Sequence, residues 1–390
     1  MLHIRLQDKL KEISDVLCSY KASGSIGLYD GDAGVVLFCA LGYLATKEEL
    51  YLNKAYQLLD ALDDTDSMVT NSFCSGIAGY AWLLNYLVNT HLIEIDRECF
   101  CQIDNALRDG LRRAIDNNNY DQLHGAISIG RYFLSVDRLA ECAIIIDNLY
   151  DARETDFEEV KWPTYNSFWK VWKYDFGLAH GMAGYLYFIV KCYLKGIRKD
   201  KCRTMIDGIF NLYDHNTQAL QQTNSIYPAS LPIEDYYPKD HRAKARLAWC
   251  YGDAGTLYSL YKSALLLKRK ATADYFLSKL ELIAHRIDPY DCGVEDAFFC
   301  HGTSFLAYAF KRLSIETQLE CFSNASEHWA WLTLQFGSAR GHLAGYRYIR
   351  YDGCSKDSIG LLEGITGIGI VLLSLIFNID SAWDECMMLS

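Results

Sequence analysis

The pattern Gly-x-x-Gly followed by a dozen apolar-rich residues recurs along the whole chain, and it constrains the fold more than any other feature. Five full copies stand at Gly31/Gly34, Gly76/Gly79, Gly181/Gly184, Gly252/Gly255 and Gly364/Gly367. Two more, at Gly125 with Ser128 and at Gly302 with Phe305, keep the first glycine and replace the second. Repeats of this period form architectures in which each unit buries its apolar face only against its neighbours. The first glycines are 45 to 71 residues apart, which is room for two helices and their connections.

Runs after the glycines, such as "YAWLLNYLV" and "YLYFIVKCY", are apolar almost all round, as a helix buried on every side must be. Segments between them, such as "TKEELYLNKAYQLLDAL", carry a one-sided apolar pattern and many charges, as a half-exposed outer helix does. Glycines three apart share one face of a helix's first turn, where they permit close backbone approach and leave N–H groups accessible. The alternation predicts an all-α fold: an α/α toroid of seven helix-pair repeats, with the glycine turns at the barrel mouth. An open solenoid is the competing arrangement. One domain is expected over residues 1–390, with a proline-rich loop near 224–245 that holds Pro228, Pro232 and Pro238.

Hydrophobic residues at 51% and charged residues at 22% fit a folded globular chain. A net charge of −11 with dispersed Lys and Arg excludes a nucleic-acid surface. The longest apolar stretch, 365–377, is shorter than the roughly twenty residues a bilayer crossing needs, and Thr366, Gly367 and Gly369 interrupt it. The N-terminus, "MLHIRLQDKLKEISDVL", reads as an amphipathic helix and lacks a secretory signal, so a cytoplasmic location is expected. Fourteen cysteines without framework spacing fit free thiols in a reducing compartment.

Cys250, Cys300 and His301 each stand one or two residues before the first glycine of a unit. A toroid would bring them to one end of the barrel as two thiolates and an imidazole, a three-ligand set that suits one zinc ion and leaves a fourth position open for chemistry. His342 and Cys74 fit this set less well, and Cys74 is expected to serve packing.

The motifs "GLYDGDAG", "YDQLHG", "GLAHGMAG", "RLAWCYGDAG", "CHG" and "GLLEGITG" occur in one order over essentially the full chain. In this the chain resembles the lanthionine synthetase C-like proteins, the cyclases of lanthipeptide biosynthesis. The resemblance implies the α/α toroid, zinc held by Cys250, Cys300 and His301, and addition of a peptide cysteine thiol to dehydroalanine or dehydrobutyrine to form a thioether ring. It implies that His180 is the proton donor and that Arg246 stabilises the enolate or the thiolate-rich centre. Arg246 shares a face with Cys250 if that segment is helical. By the same resemblance Asp121 orients or charges His180, and Tyr251 donates to the enolate. Ser128, Phe305 and His124 depart from the pattern and are expected to tune geometry or substrate fit.

The expected partners are a dehydrated precursor peptide and a separate dehydratase within a modification complex. Rival readings are addition of glutathione or another small thiol to dehydroamino acids in proteins, thiol prenylation, and a non-catalytic peptide-binding scaffold. A paired-carboxylate glycosidase would leave the Cys-Cys-His set unexplained.

Overall fold

Each of the seven glycine turns opens an α-helix in the computed structural model, which describes residues 1–63, 70–166, 170–233, 245–349, 355–377 and 379–390. Numbered in chain order, the helices that follow a turn are α2 (Asp32–Thr46), α4 (Ile77–Asn89), α6 (Ala126–Ser135), α8 (Met182–Leu194), α11 (Asp253–Leu266), α13 (Thr303–Thr317) and α15 (Ile365–Ile376). They alternate with α1 (Leu2–Ser19), α3 (Glu49–Asp63), α5 (Arg97–Asp116), α7 (Leu139–Ala152), α9 (Lys199–His215), α12 (Lys270–Ala284) and α14 (Glu320–Phe336). A single extra turn, α10, spans Leu220–Thr223.

The burial follows the hydrophobic pattern. Every residue of α8 from Met182 to Val190 is buried, as is every residue of α15 from Ile365 to Leu373. The N-terminal helix α1 instead buries Leu6, Leu10, Ile13, Ser14 and Leu17, the stripe of an outer helix.

Short strands fill the longer intervals between turns. β1 (Glu154–Asp156) pairs with β2 (Glu159–Lys161), and β6 (Tyr348–Ile349) pairs with β7 (Ser355–Lys356). β3 (Thr164–Asn166), β4 (Val171–Asp175) and β5 (Ser230–Pro232) form an antiparallel sheet in that order. β5 is the structured part of the expected proline-rich loop, whose residues 234–244, with Pro238, lie outside the described residues.

The first glycine is required by space, since its backbone is extended at every turn. The N–H of the first helical residue reaches back to the carbonyl seven residues earlier: Asp32 to Ser25 at 2.8 Å, Ile77 to Thr70 at 2.9 Å, Ala126 to Asn119 at 2.8 Å, and Asp253 to Arg246 at 3.0 Å. The loop therefore folds under the helix start, and a Cβ on Gly76 would stand 2.1 Å from the Thr70 carbonyl oxygen. The second glycine is as tight: a Cβ on Gly79 would lie 2.0 Å from the Phe73 carbonyl oxygen. Gly79→Ala is thus expected to lower unfolding free energy by about 2–3 kcal/mol in urea titration, because backbone rather than a flexible side chain must move. A change below about 0.5 kcal/mol would refute this account of the repeat.

Where the second glycine is missing, the replacement is absorbed in the core. The Ser128 hydroxyl donates to the Gly125 carbonyl at 2.6 Å, and fully buried Phe305 packs on Phe299 with centroids 5.5 Å apart. Both side chains thus act on the local geometry of their turns, one of the two roles expected of them.

The two "GDAG" aspartates are anchors. Asp32 accepts hydrogen bonds from the backbone N–H groups of Ser23 and Gly24, both at 2.9 Å. Asp253 accepts from Ile226 and Tyr227 at 2.8 and 3.0 Å and faces Arg286 at 3.2 Å. Each carboxylate sits in the first turn of its helix, where the dipole favours it, and ties down an incoming loop.

Two compact units divide the chain. One comprises Met1–Leu107 with Glu295–Cys386. Within it α15 packs on both α13 and α2, α2 packs on α4, and α1 covers α15. First and last repeats are therefore neighbours, which an open solenoid does not allow. The other unit comprises Arg108–Val294 with Met387–Ser390. There α8 lies against α6 and α11, with α7, α9 and α12 packed on the outside. Its C-terminal residues are held by Trp249 Nε1, which donates to the Met387 carbonyl at 2.8 Å, and by the Tyr187 hydroxyl, 2.9 Å from Ser390 O.

Candidate active site

The repeat places chemistry at a few fixed registers. Immediately before the first glycine stand Asp30, Ser75, His124, His180, Tyr251, His301 and Glu363. Two before it are Cys250 and Cys300, and six before it are Asp175, Arg246 and Asp296. Residues just before the glycine are exposed or half-buried while their neighbours in the turn are mostly buried, so this register faces out from each turn.

In the first unit, successive turns are joined by backbone hydrogen bonds at the register two before the glycine. Cys300 N donates to Leu362 O, Leu362 N to Tyr29 O, and Tyr29 N to Cys74 O, each at 2.9 Å. This ladder sets Glu363 beside His301. Cys300 Sγ, a ring nitrogen of His301 and a carboxylate oxygen of Glu363 all lie within 4.8 Å of one another, a donor cluster of the kind that holds a metal ion. His301 Nδ1 stands 2.9 Å from Asp296 Oδ2, and Nε2 stands 3.9 Å from Glu363 Oε1. Metal-binding histidines commonly donate one ring N–H to a carboxylate, which fixes the tautomer and aims the other nitrogen at the metal. The imidazole also stacks on Tyr348, centroids 6.3 Å apart. Cys300 is buried, whereas His301 is half-buried and reachable.

The other unit holds the remaining expected residues. Ala179 N donates to Cys250 O at 3.2 Å, one more rung at the same register. Gly177 makes that approach possible, because a Cβ there would lie 2.3 Å from the Cys250 carbonyl oxygen. His180 consequently stacks on Tyr251, with centroids 5.4 Å apart and planes inclined by 24°. On its other neighbour, His124, it stacks at 6.3 Å. Asp121 Oδ1 accepts the backbone N–H groups of Leu123 and His124, both at 2.9 Å, and Oδ2 lies 2.6 Å from His180 Nδ1. Nδ1 is then the donor, and Nε2 is the end of the ring available to a substrate.

Electrostatics follow from that pair. Burial alone would push the His180 pKa down, but the Asp121, Asp175 and Cys250 side chains raise it above its ordinary value. Burial would push Asp121 up, and the His180 charge and hydrogen bond hold it below the usual carboxylate value. At Glu363 burial wins, aided by Asp296 and Asp30, and its pKa is raised despite His301.

Arg246 departs from expectation. Residues 245–252 are not helical, so Arg246 and Cys250 do not share a helix face; the Arg246 carbonyl instead accepts Asp253 N at the start of α11. Its half-buried guanidinium makes no hydrogen bond or ion pair among the described residues. The other cysteine and histidine candidates belong elsewhere. Cys74 is buried and contributes its carbonyl to the backbone ladder, and His342 is paired with Asp357 at 2.8 Å.

Asp296 and Glu363 were missed by motif reading. Register would have found them, since Asp296 occupies the place of Arg246 and Glu363 the place of His301 in their repeats.

A family model described as lanthionine synthetase C-like protein matches residues 23–388. The nisin biosynthesis protein NisC of Lactococcus lactis subsp. lactis is 23% identical over 408 residues, covering 94% of this chain and 89% of that protein. A solved structure of nisin cyclase is similar with a TM-score of 0.74 and 19% identity, covering 98% of this chain and 96% of the other. That likeness shows the fold, which is the α/α toroid the repeat predicted.

Proposed function

Because the chain belongs to the lanthionine synthetase C-like family, we propose that it is a zinc-dependent lanthipeptide cyclase, adding cysteine thiols of a dehydrated precursor peptide to dehydroalanine or dehydrobutyrine within the same peptide. The observation that carries this reading is His301 beside Cys300, with Nδ1 held by Asp296 and Nε2 turned toward Glu363 in one donor cluster. Cys250, Cys300 and His301 would hold the metal. Zinc, when bound, supplies a Lewis-acidic position that makes a thiol acidic and keeps it as thiolate.

The protein's own residues manage the charge that the addition moves. A bond forms between sulfur and the β-carbon, the π-electron pair shifts onto the amide carbonyl, and an enolate oxygen carries the negative charge. Arg246 and the Tyr251 hydroxyl are the donors for that oxygen. His180 gives the proton on Nε2 to the α-carbon, and Asp121 keeps the opposite nitrogen in its donor state. The thiol proton is released to solvent, from which His180 is recharged.

A separate dehydratase supplies the substrate, in a complex with this chain as a single catalytic domain. No disulfide joins the thirteen described cysteines, and the reading places this work in a reducing cytoplasm. No helix among the described residues is long and apolar enough to cross a membrane.

The test is incubation of a dehydrated, cysteine-containing peptide with the protein and zinc. Loss of alkylatable thiol without change of mass supports cyclisation. Gain of the mass of glutathione, when that is supplied, moves the assignment to small-thiol addition; transfer from a prenyl diphosphate moves it to thiol prenylation. Peptide binding without any reaction leaves a scaffold. Asp296→Asn is expected to weaken zinc binding by about 10- to 100-fold in chelator competition, and unchanged affinity would remove Asp296 from the site.

A further inference from the structure

Two residues that no motif flagged stand beside the stacked rings of His180 and Tyr251. Lys173 and Asp175 are two apart on β4, so both side chains leave the strand on one face, and both are buried, at 6% and 1% exposure. The Lys173 ammonium lies 2.8 Å from Asp175 Oδ1 and 5.1 Å from the centroid of the Tyr251 ring. That same ring stacks on His180 at 5.4 Å. Pairing with β5 pins the strand, with Lys173 opposite Pro232 and Asp175 opposite Ser230.

Stability does not explain such a pair. Removing an ammonium and a carboxylate from water costs more than burying apolar side chains of similar volume, and apolar replacement of buried pairs is often neutral or favourable. What the pair faces does explain it. Asp121 and Asp175 bring two negative charges to His180, Lys173 brings one fixed positive charge, and the cluster is neutral when His180 carries the proton it donates. The ammonium over the aromatic face is a cation–π contact in a desolvated setting, where it is strongest.

Resting on the cyclase reading, we propose that Lys173 is a positioning residue of the active site: seated by Asp175, its ammonium holds the Tyr251 ring against His180, so that the tyrosine hydroxyl and His180 Nε2 address one enolate. Asp175 is its counter-ion and makes no contact with substrate.

The test separates the ammonium from the buried pair. Lys173→Met alone leaves Asp175 buried and unpaired and is expected to lose stability for that reason. The double change Lys173→Met with Asp175→Leu removes both charges and keeps the volume filled. This variant is expected to fold, keep the KM for a dehydrated peptide and lose about 10- to 100-fold in kcat. In a Tyr251→Phe background the same double change is expected to cost less than about threefold more. Wild-type kcat in the folded double variant overturns the proposal, as does a full additional loss on top of Tyr251→Phe. If the double variant does not fold, Lys173→Arg decides: a guanidinium keeps both the Asp175 pair and the stack, so kcat within about threefold of wild type is expected, and a folded variant with a larger loss overturns the proposal.

Should the wild-type protein form no thioether, the cyclase reading fails but the seating of Tyr251 remains measurable. Its ring resonances in carbon-13 tyrosine-labelled protein, assigned by their loss in Tyr251→Phe, are expected to shift and broaden in the double variant. Unchanged resonances overturn the positioning role.

Discussion

Alanine at Cys300 or at His301 should leave a folded protein that binds less than about a tenth of a zinc ion per chain and forms thioethers at least about a thousandfold more slowly. A thousandfold loss corresponds to about 4 kcal/mol of transition-state stabilisation, within what a Lewis-acidic metal supplies. The fold is expected to survive because the turn is held by its backbone: Cys300 N donates to Leu362 O, and Thr303 N to Asp296 O. In this the site differs from small zinc domains that are unfolded without metal. Metal analysis on purified variants, with circular dichroism as the control, reads the first effect, and thiol alkylation of the peptide reads the second. Glu363→Gln provides a contrast, because its carboxylate lies in the donor cluster with Cys300 and His301. It should keep zinc at near-stoichiometric levels if Cys250, Cys300 and His301 are the ligands. Loss of zinc in Glu363→Gln with retention in Cys250→Ala would transfer the third position to Glu363.

Much of this architecture can be read from the sequence because a repeat states its own period. "YLYFIVKCY" is apolar all round and becomes α8, buried from Met182 to Val190, while the one-sided N-terminal segment becomes α1. Cys300 and His301 were visible because residue types that can ligate a metal are conspicuous beside a glycine turn. Asp175, Asp296 and Glu363 are marked in the sequence by repeat register alone and Lys173 by nothing, for a shared physical reason. Their meaning comes from the turn-to-turn backbone ladder and from the β4–β5 pairing, which are long-range contacts that single-segment periodicity does not contain. Arg246 shows the opposite error. A spacing of four was consistent with a helix face, but the Gly252 turn needs the Arg246 carbonyl for Asp253 N, and that requirement keeps the segment out of the helix.

Asp121→Asn is expected to reduce thioether formation by about 10²- to 10⁴-fold at pH 8, with a smaller loss at pH 6. His180 must be protonated to act as the acid, and its pKa is held above the ordinary value of 6.5 chiefly by the carboxylate at 2.6 Å, against burial, which pulls it down. Asparagine removes the charge while keeping a hydrogen-bonding group, so the alkaline limb of the rate profile should move to lower pH. Asparagine also offers Nδ1 an N–H in place of an acceptor, so the tautomer is no longer fixed. His180→Ala should lose the alkaline limb altogether.

Stability must follow the same signs. The raised His180 pKa contributes stability that is complete below about 6.5 and is lost as pH rises through the higher folded value. The lowered Asp121 pKa contributes stability that is present above about 3.8 and is lost as pH falls through the folded value. The pair therefore stabilises the fold most between those limits, and Asp121→Asn should lose more unfolding free energy at pH 5.5 than at pH 8.5 in urea titration. A variant whose rate profile keeps its alkaline limb in place, and whose stability loss is equal at both pH values, would show that His180 does not draw its charge from Asp121, and the proton-donor role would then pass to another group.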